Sequence, residues 1–500
     1  MTEQTYRAEL FATRSVVFYS VLALSTLPLW LTTYLPMVDL PQHAAQITAL
    51  REYLDGNPMF LEQFEINWFT PYLLGYLLLY ALSSVFTVAF STKLLVAVAV
   101  VGLPMAARRM LAFCGADKDL AYLVIPAAYG LSFYWGFLSF LVAAPLGILF
   151  FVLAVSYTRD PTWQKAVWIV LSAVFLFFSH LIVLVLASAL SVAYGFFHHV
   201  SSIKRQAIHL APFVIPVPLV VAWLLIVKED SVAVREAAPV YVEFGANILG
   251  LLTKHTGLVG LGVIPALIMT AATFGYPLMA RYRFSRKPER WAPFAIVVSL
   301  YLLVPWGLLG SVFLNERFGI FLAPFWFLAW DRPEHVRSRT MLLPAAALSA
   351  FLVVNLVVFS AFNKDARDFD RLTEQMEPGQ RVLQMPVYGT GPGFDKPVYA
   401  HFASWYQAND AGIVDFNFAY FYPMMLHYRE GVVAPVNNRF TWNVGTFRWS
   451  THGGDVYDYF IARYPGDASE ALFKDAVNKV EVVGNEGMWW LYRRIEETTP

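Results

Sequence analysis

The residues best suited to chemistry in this sequence are Asp39 and His43, which stand four positions apart with Pro41 between them. Because proline is tolerated in the first turn of a helix, the spacing predicts that a helix begins near Asp39 and places His43 one turn later. A carboxylate at the mouth of a cavity can act as a general base toward an acceptor hydroxyl, and His43 could orient the base or the acceptor. The structural alternative is that Asp39 only caps the helix.

A second pair of ionisable residues, Glu316 and Arg317, stands between two apolar segments late in the chain. An arginine in such a position can bind a phosphate through two parallel hydrogen bonds. Ionisable groups at a membrane boundary are also candidates for function. The alternatives are an internal Glu316–Arg317 ion pair, or an arginine that extends to the membrane surface as an anchor.

Three further positions could contribute to a substrate site. His180 interrupts an apolar stretch, where it could bind substrate or have a structural role. Lys254 and His255 precede an apolar segment, where they could bind an anionic headgroup or serve as anchors. Tyr134 and Trp135 form an aromatic pair that could stack on a sugar or a lipid, or belong to the aromatic belt at the membrane surface.

The sequence holds no motif typical of a metal centre or a nucleotide site. It has no HExxH, no GxSxG and no GK[ST] phosphate loop, and the glycine-rich stretch Tyr388–Pro397 reads as a loop that does not lead into a helix. The single cysteine, Cys114, excludes an intramolecular disulfide and a cysteine-based zinc site. We therefore expect no cofactor and no metal. The formal net charge of +0 gives no indication of a nucleic-acid partner.

These candidate residues are embedded in a chain with the composition of an integral membrane protein. Of the 500 residues, 58% are hydrophobic and 14% are charged, whereas a typical soluble domain carries about 25% charged residues. Apolar runs of about 20 residues, the length needed to cross the hydrocarbon core, recur through the first three quarters of the chain. The polar N-terminus lacks a cleavage site, so the first apolar run is interpreted as a retained anchor.

The basic loops give the predicted orientation, because Lys and Arg remain mainly on the cytoplasmic side. Four loops are placed in the cytoplasm: Thr158–Lys165, His198–Gln206, Arg281–Arg290 and Asp331–Arg339. The resulting bundle, residues 1–362, has roughly 11 crossings, a cytoplasmic N-terminus and a first outer loop, 36–68, that contains an interfacial helix. The segment 69–90 is expected to lie in the interface or to re-enter without a full crossing.

Short or broken helices are expected at two places in the bundle. Ser179 and His180 divide Val167–Phe197 into two half-spans of about 13–17 residues each, or ~20–25 Å. The returning span Phe318–Trp330 is also short. Irregular backbone at membrane depth is tolerated only where it lines a cavity or packs against protein, so a cavity is expected beside these segments.

Residues 363–500 are predicted to form a small α/β domain on the outer side. They hold half of the acidic residues and no run long enough to span a membrane. Arg381–Val387 and Lys479–Gly484 have the composition of strands, and Ala468–Val480 has a pattern typical of a helix. Two aromatic-rich stretches could dock onto the bundle or shape an acceptor site: His401–Gly412 and Phe416–Tyr428.

This arrangement resembles the GT-C superfamily of polytopic membrane glycosyltransferases, which use polyprenyl-phosphate-linked sugars. The resemblance covers residues 15–362 and is carried by Asp39 after the first span, the interfacial helix, the broken spans and Arg317 in a late outer loop. It implies that Asp39 activates the acceptor, that Arg317 binds the lipid phosphate and that the active site faces outward. Metal-dependent members carry acidic residues in the second outer loop, whereas Tyr129–Phe140 has none, which favours transfer without a metal.

The sequence therefore predicts a mainly α-helical transmembrane bundle with a small C-terminal α/β domain, in a bacterial inner membrane with that domain in the periplasm. The predicted reaction moves a sugar from a polyprenyl-phosphate donor to an acceptor hydroxyl in cell-envelope polysaccharide, lipid or protein glycosylation. The expected partners are membrane lipids, the lipid-linked sugar as co-substrate and an acceptor that the sequence does not identify. Two alternatives stay open: a transporter or flippase for a lipid-linked substrate, and a non-catalytic membrane assembly protein.

Overall fold

The computed structural model describes residues 15–199, 201–230, 238–258, 262–308, 311–334, 340, 342–432 and 444–495. Most of these residues are helical, and the longer strands lie near the C-terminus. The prediction of a mainly helical chain with a small C-terminal sheet region is confirmed. Residues 1–14, predicted to be cytoplasmic, and residues 335–339 of a predicted cytoplasmic loop lie outside the described residues.

Several of the helices have the length and composition of membrane spans. Within the described ranges, 4 helices meet both criteria: Val88–Phe113, Leu138–Arg159, Leu181–His198 and Leu342–Thr373. Ile203–Val214 and Val217–Val227, bent by 43° at their break, would add one more span if they act together. These helices are consistent with a membrane protein, but the predicted number of crossings is not confirmed. Shorter apolar helices of 10–17 residues accompany them: Ser15–Trp30, Leu73–Ser83, Trp163–Ser179, Phe244–Thr253 and Val263–Met279.

The predicted break between two helices at Ser179 and His180 is confirmed. Trp163–Ser179 ends where His180 adopts an extended backbone, with φ −171° and ψ 115°, and Leu181–His198 begins at the next residue. The two helices contain 17 and 18 residues, so the second is longer than the predicted half-span. Two helices are therefore joined directly at a histidine, without a connecting loop.

Contacts divide the chain into two compact units. Unit 1 comprises Met1–Trp30, Val96–Phe133 and Ser139–Leu356. Unit 2 comprises Leu31–Leu95, Tyr134–Leu138 and Val357–Pro500. The domain boundary predicted after residue 362 falls inside the helix Leu342–Thr373, and the division into 1–362 and 363–500 stays a prediction.

Unit 1 is built mainly from helices. It contains the apolar helices Ser15–Trp30, Trp163–Ser179, Leu181–His198, Ile203–Val214, Val217–Asp230, Phe244–Thr253 and Val263–Met279, almost all of Leu138–Arg159, and parts of Val88–Phe113 and Leu342–Thr373. It also contains the 3₁₀ helices Lys118–Tyr129 and Glu316–Phe321, the helices Pro288–Leu303 and Leu322–Leu328, and the paired strands Arg283–Phe284 and Trp330–Asp331. The short helix Leu131–Trp135 crosses into unit 2 at Tyr134. The predicted returning segment Phe318–Trp330 thus consists of a short 3₁₀ helix that continues into a single short α-helix. All six residues of Glu316–Phe321 are buried, which positions Glu316 and Arg317 inside the packed helices of this unit.

Unit 2 combines short helices with a mixed five-stranded sheet. Its helices are Leu40–Leu54, Pro58–Gln63, Leu73–Ser83, Ser404–Asp410 and Ser469–Leu472, with short 3₁₀ turns at Phe418–Tyr420, Val444–Thr446, Gly454–Val456 and Val477–Lys479. The strand order is Ile413–Val414, Arg381–Met385, Tyr459–Arg463, Trp489–Arg494 and Val480–Glu486. The first three strands are parallel, and Trp489–Arg494 is antiparallel to both of its neighbours. The predicted strands at 381–387 and 479–484 are confirmed, and Phe64–Ile66 pairs separately with Leu426–Tyr428.

The helix predicted at Ala468–Val480 is wrong for most of its length. Only Ser469–Leu472 is α-helical, and the chain then turns before the 3₁₀ turn Val477–Lys479. Leu472 and Phe473 are buried in the core that packs on the sheet. Packing of these apolar side chains therefore overrides the local helical pattern.

The helix Leu40–Leu54 begins with a proline in its first turn, as predicted, and its first eleven residues are buried. Its polar residues are buried with hydrogen bonds inside unit 2. Gln42 Nε2 donates to Ser404 Oγ at 2.9 Å, and Gln46 Nε2 donates to Asn417 Oδ1 at 2.8 Å. Gln42 and Gln46 thus bind polar groups of the C-terminal segments, and the location of this helix at the membrane surface stays a prediction.

Candidate active site

Asp39 is held in unit 2 by hydrogen bonds of the backbone on both sides of it. The N–H of Asp39 donates to the carbonyl of Trp135 at 3.1 Å, and the N–H of Val38 donates to the carbonyl of Tyr134 at 2.9 Å. The carbonyl of Asp39 accepts from the N–H of His43 at 3.2 Å. The Asp39 side chain makes no capping hydrogen bond to the helix, so capping does not account for this carboxylate.

The segment 134–138 approaches Asp39 so closely that it requires a glycine. Gly136 has φ +80°, a left-handed conformation that favours glycine. A Cβ at this position would lie 2.8 Å from the backbone nitrogens of Asp39 and Leu40, closer than packed atoms can approach. Gly136 therefore sets how closely the two backbone segments meet, and with it the position of the Asp39 carboxylate.

His43 follows Asp39 by one turn, as predicted, but its ring contacts other groups. Its Nδ1 is 2.8 Å from the hydroxyl of Tyr76, and the ring also hydrogen-bonds the backbone of Gly136. Burial lowers the pKa of His43 to about 4, so the ring is neutral at pH 7. His43 thus connects the helix to the segment that holds Asp39, and its role toward the base or acceptor stays a prediction.

Sequence reasoning missed His401, which the fold brings to the Asp39 carboxylate. His401 Nε2 lies 3.8 Å from Asp39 Oδ1. The side chain of His401 is 5% exposed, whereas that of Asp39 is 17% exposed. Burial lowers the pKa of His401 to about 3, so a neutral imidazole faces the carboxylate at neutral pH. The sequence indicated only an aromatic-rich stretch that begins at His401. It did not indicate which residue of that stretch lies next to Asp39.

Tyr134 and Trp135 contribute mainly through their backbone carbonyls. The ring of Tyr134 is buried and packs edge-to-face on Phe394, with 5.6 Å between ring centroids. Trp135 is half-buried. Of the two rings, only that of Trp135 keeps surface for a ligand, and its stacking on a sugar or lipid stays a prediction.

The arrangement around Asp39 is suited to proton acceptance. The carboxylate is partly exposed while the helix that follows it is buried, so a ligand hydroxyl can reach a group whose position the backbone fixes. The imidazole of His401 is uncharged at neutral pH, so it does not engage the carboxylate in an ion pair. These are the properties expected of a general base.

A second group of candidate residues lies in unit 1, around the ion pair of Lys254 and Glu316. Lys254 Nζ is 2.5 Å from Glu316 Oε1, and the two side chains are 35% and 3% exposed. The sequence left open an internal Glu316–Arg317 pair, and the structure shows that Glu316 pairs with Lys254 instead. The guanidinium of Arg317 donates a hydrogen bond to the carbonyl of Val312 at 3.2 Å.

Lys254, His255 and Glu316 line one small cavity in unit 1 together with Gly130 and Ser132. Its volume of about 10 Å³ is the space of a single water molecule. Glu316 Oε2 is buried and has no hydrogen-bond partner among the described residues. Because buried carboxylate oxygens normally accept hydrogen bonds, this cavity is suited to a small donor such as water or a hydroxyl group.

His180 is buried in unit 1 at the junction of two helices. Its ring packs edge-to-face on Phe140 at 5.2 Å, and it interacts electrostatically with Arg317. The predicted site residues therefore form two groups. Asp39, His43, Tyr134 and Trp135 belong to unit 2, whereas His180, Lys254, His255, Glu316 and Arg317 belong to unit 1.

Within the part of the chain that the structure describes, no group of three or more His, Cys, Asp or Glu side chains is arranged to hold a metal ion. Transfer without a metal stays a prediction.

No family model and no curated protein matches this sequence. Among solved structures, the chain is similar to the crystal structure of ArnT from Cupriavidus metallidurans bound to undecaprenyl phosphate, with a TM-score of 0.55 and 10% identity over 97% of this chain and 98% of ArnT. It is also similar to the cryo-EM structure of the arabinofuranosyltransferase AftD from Mycobacteria, with a TM-score of 0.51 and 12% identity over 96% of this chain but 42% of AftD. At these identities the likeness concerns the fold. This chain therefore shares the fold of ArnT and AftD, in agreement with the resemblance in fold that the sequence suggested.

Proposed function

We propose that this protein is a membrane glycosyltransferase that moves a sugar from a polyprenyl-phosphate donor to an acceptor hydroxyl. The fold supports this function because it is shared with AftD, an arabinofuranosyltransferase, and with ArnT, whose structure contains undecaprenyl phosphate. The observation that carries the proposal is Asp39, a partly exposed carboxylate whose backbone is fixed by hydrogen bonds and which faces a neutral imidazole.

The proposed setting is a bacterial inner membrane, with the reaction at its outer face. The basic loops favour a cytoplasmic N-terminus and a periplasmic C-terminal domain. The apolar helices described above support membrane insertion, and we propose that roughly 11 segments cross the bilayer. The acceptor belongs to cell-envelope polysaccharide, lipid or protein glycosylation.

In the proposed reaction, Asp39 removes the proton of the acceptor hydroxyl. The acceptor oxygen forms a bond to the anomeric carbon of the sugar, while the bond between that carbon and the phosphate oxygen breaks. The electron pair of the broken bond leaves with the lipid phosphate, and Asp39 then releases its proton to water. His401 is neutral beside Asp39, so it does not hold the carboxylate in an ion pair and leaves it available as the base.

Arg317 is the proposed ligand of the lipid phosphate. A guanidinium can bind two phosphate oxygens at once, which suits it to this role better than an ammonium group. Lys254 is already engaged by Glu316 at 2.5 Å, so we do not assign it the phosphate. The proposed transfer uses no metal.

The first test is transfer from a panel of synthetic polyprenyl-phosphate sugars by the purified full chain, with and without a chelator. Asp39→Asn should lower turnover by about 10² to 10⁴-fold, the usual contribution of a general base, while the chelator should have no effect. Asp55→Asn is the matched control, because Asp55 is an exposed residue at the other end of the same helix.

Full turnover by Asp39→Asn would refute the assignment of the base. Loss of transfer with the chelator would refute metal independence. If the folded wild-type protein transferred none of the sugars and released no lipid phosphate, a transporter or an assembly protein would be favoured.

A further inference from the structure

The long helix Leu342–Thr373 ends in a row of four polar residues on one face, three of which are basic. Ser360, Lys364, Arg367 and Arg371 are spaced by three or four residues, so they lie on the same side of the helix. We call these four residues the basic stripe. Val357, three residues before Ser360, continues this face and is 65% exposed. The exposed face therefore changes from apolar to basic toward the end of the helix.

The basic stripe lines a surface cavity of about 300 Å³ in unit 2, together with Asn363 and Asp368. Oδ1 of Asn363 accepts a hydrogen bond from the backbone N–H of Thr33 at 2.8 Å. Because the amide oxygen of Asn363 is used as this acceptor, its Nδ2 group remains available to donate hydrogen bonds. Asn363, Ser360, Lys364 and Arg367 therefore all offer hydrogen-bond donors to this cavity.

The charges around the cavity leave an excess of positive charge. Asp368, the carboxylate in the lining, pairs with Arg371, which also binds Glu486 at 3.1 Å. Asp365, on another face of the helix, pairs with Arg463 at 2.7 Å.

Lys364 and Arg367 make no ion pair with a described residue, and both are exposed. Asp370 accepts a hydrogen bond from Tyr34 at 2.7 Å, and Glu374 lies beyond the helix end and does not line the cavity. Arg367 also interacts electrostatically with Asp370, so the charge of Arg367 is partly offset, whereas Lys364 is a cation without an ion pair to a described residue.

The helix dipole does not explain the whole stripe. Cations are stabilised within the last turn of a helix, where the carbonyl groups lack helical partners. Arg371 is in that turn, whereas Lys364 stands more than two turns before the end. The positive-inside rule gives no reason for the stripe either, because it follows the last span on the side predicted to be external.

We propose that this cavity binds the phosphate headgroup of an anionic membrane lipid. Phosphate oxygens only accept hydrogen bonds, which matches a site that offers two cations, a hydroxyl and an amide N–H₂. The exposed Val357 provides apolar surface next to the cavity. Only 22% of the most apolar 18-residue stretch of this helix is buried. Lipid chains can therefore lie along it. This site is separate from the proposed transfer chemistry, since it contains none of the residues assigned to it.

The test is binding of phosphatidylglycerol to the purified full chain in detergent, measured by native mass spectrometry. Phosphatidylcholine and free glycerol phosphate serve as comparison ligands. The variant Lys364→Gln with Arg367→Gln should bind phosphatidylglycerol about 10- to 30-fold more weakly, since each cation near a lipid surface contributes about fivefold. Lys474→Gln with Arg493→Gln is the matched control, because it removes the same charge from exposed positions of unit 2 and should bind as the wild type does.

A charge-retaining variant, Lys364→Arg with Arg367→Lys, should also bind as the wild type does. If it lost as much affinity as the glutamine variant, recognition by charge would be refuted. Equal affinities of the glutamine variant and the control variant would overturn the site. Glycerol phosphate or phosphatidylcholine bound as tightly as phosphatidylglycerol would overturn its assignment to an anionic lipid.

Discussion

Glu316 in unit 1 and Asp39 in unit 2 are carboxylates held in opposite ways. Glu316 is almost fully buried, and the ammonium group of Lys254 offsets its charge at 2.5 Å. Asp39 is partly exposed, its backbone is held by neutral peptide groups, and the imidazole next to it is neutral. Glu316 is therefore engaged in an ion pair and shielded from a ligand, whereas Asp39 is open to a ligand hydroxyl. The comparison favours Asp39 as the proton acceptor and Glu316 as a group that organises its surroundings.

The substitution Gly136→Ala, next to Asp39, is expected to have the largest effect on stability and transfer. The new methyl group would meet the backbone of Asp39 and Leu40 at 2.8 Å, and alanine disfavours φ +80°. We expect the free energy of unfolding to fall by about 2–4 kcal/mol and transfer to fall with it. Chemical unfolding in detergent and a transfer assay measure the two effects.

Gly56→Ala separates backbone strain from close contact. Gly56 also has a positive φ of 84°, but no atom lies within 4 Å of the position that a Cβ would take. This substitution should cost about 1 kcal/mol, from conformation alone, and leave transfer intact. Equal effects of the two substitutions would show that the approach of segment 134–138 does not position Asp39.

The next largest effect is expected from acid pH, which protonates the neutral histidines of unit 2 as the protein unfolds. Their pKa values, about 4 for His43 and about 3 for His401, lie below the unfolded value of about 6.5. The folded state therefore binds fewer protons than the unfolded state. The contribution of the two neutral histidines to the unfolding free energy is complete above pH 6.5 and is lost as the pH falls toward 4 for His43 and 3 for His401. At pH 5 each histidine should cost about 2 kcal/mol of unfolding free energy.

Unfolding measured at pH 7 and pH 5 tests this expectation. His401→Gln should remove about 2 kcal/mol of the wild-type difference between the two pH values, and His43→Gln should remove a similar part. A His401→Gln protein with the full wild-type difference would mean that His401 is protonated beside Asp39 and that the proposed contrast with Glu316 does not hold.

The smallest effect is the coupling between Lys254 and Glu316. A double-mutant cycle with Lys254→Met and Glu316→Gln should give a coupling of about 1 kcal/mol, since Lys254 is 35% exposed and solvent screens part of the attraction. Thermal or chemical unfolding of the four proteins measures it.

Arg493 and Glu481 provide the matched control cycle. Their atoms are also 2.5 Å apart, but the side chains are 55% and 47% exposed, so a coupling below about 0.5 kcal/mol is expected. If the two couplings were equal, burial would not distinguish Glu316, and the contrast between the carboxylates of Glu316 and Asp39 would weaken.

Local patterns in the sequence predicted the elements that carry the candidate residues. Pro41 indicated where a helix begins, and that helix begins at Leu40. The polar Ser179 and His180 indicated a break between helices, and the break lies at His180. Such features depend on residues close together in the chain, which is why sequence reasoning reaches them.

The partners of those residues could not be predicted, because they come from distant parts of the chain. His401 reaches Asp39, and Lys254 reaches Glu316, only through tertiary packing. No spacing rule connects such residues. The helical pattern at Ala468–Val480 failed for a related reason, because the core of the sheet uses its apolar residues in another backbone conformation.

The hydrogen bonds around Asp39 also determine when the site can form during protein synthesis. Chains are made and begin to fold from the N-terminus, so Asp39 leaves the ribosome long before Tyr134 and Trp135, whose carbonyls hold its backbone. His401 follows only when most of the chain has been made. A chain that is still being synthesised, or one truncated before His401, therefore carries the carboxylate without its completed surroundings. Under the proposed function, such a chain would not yet consume lipid-linked sugar.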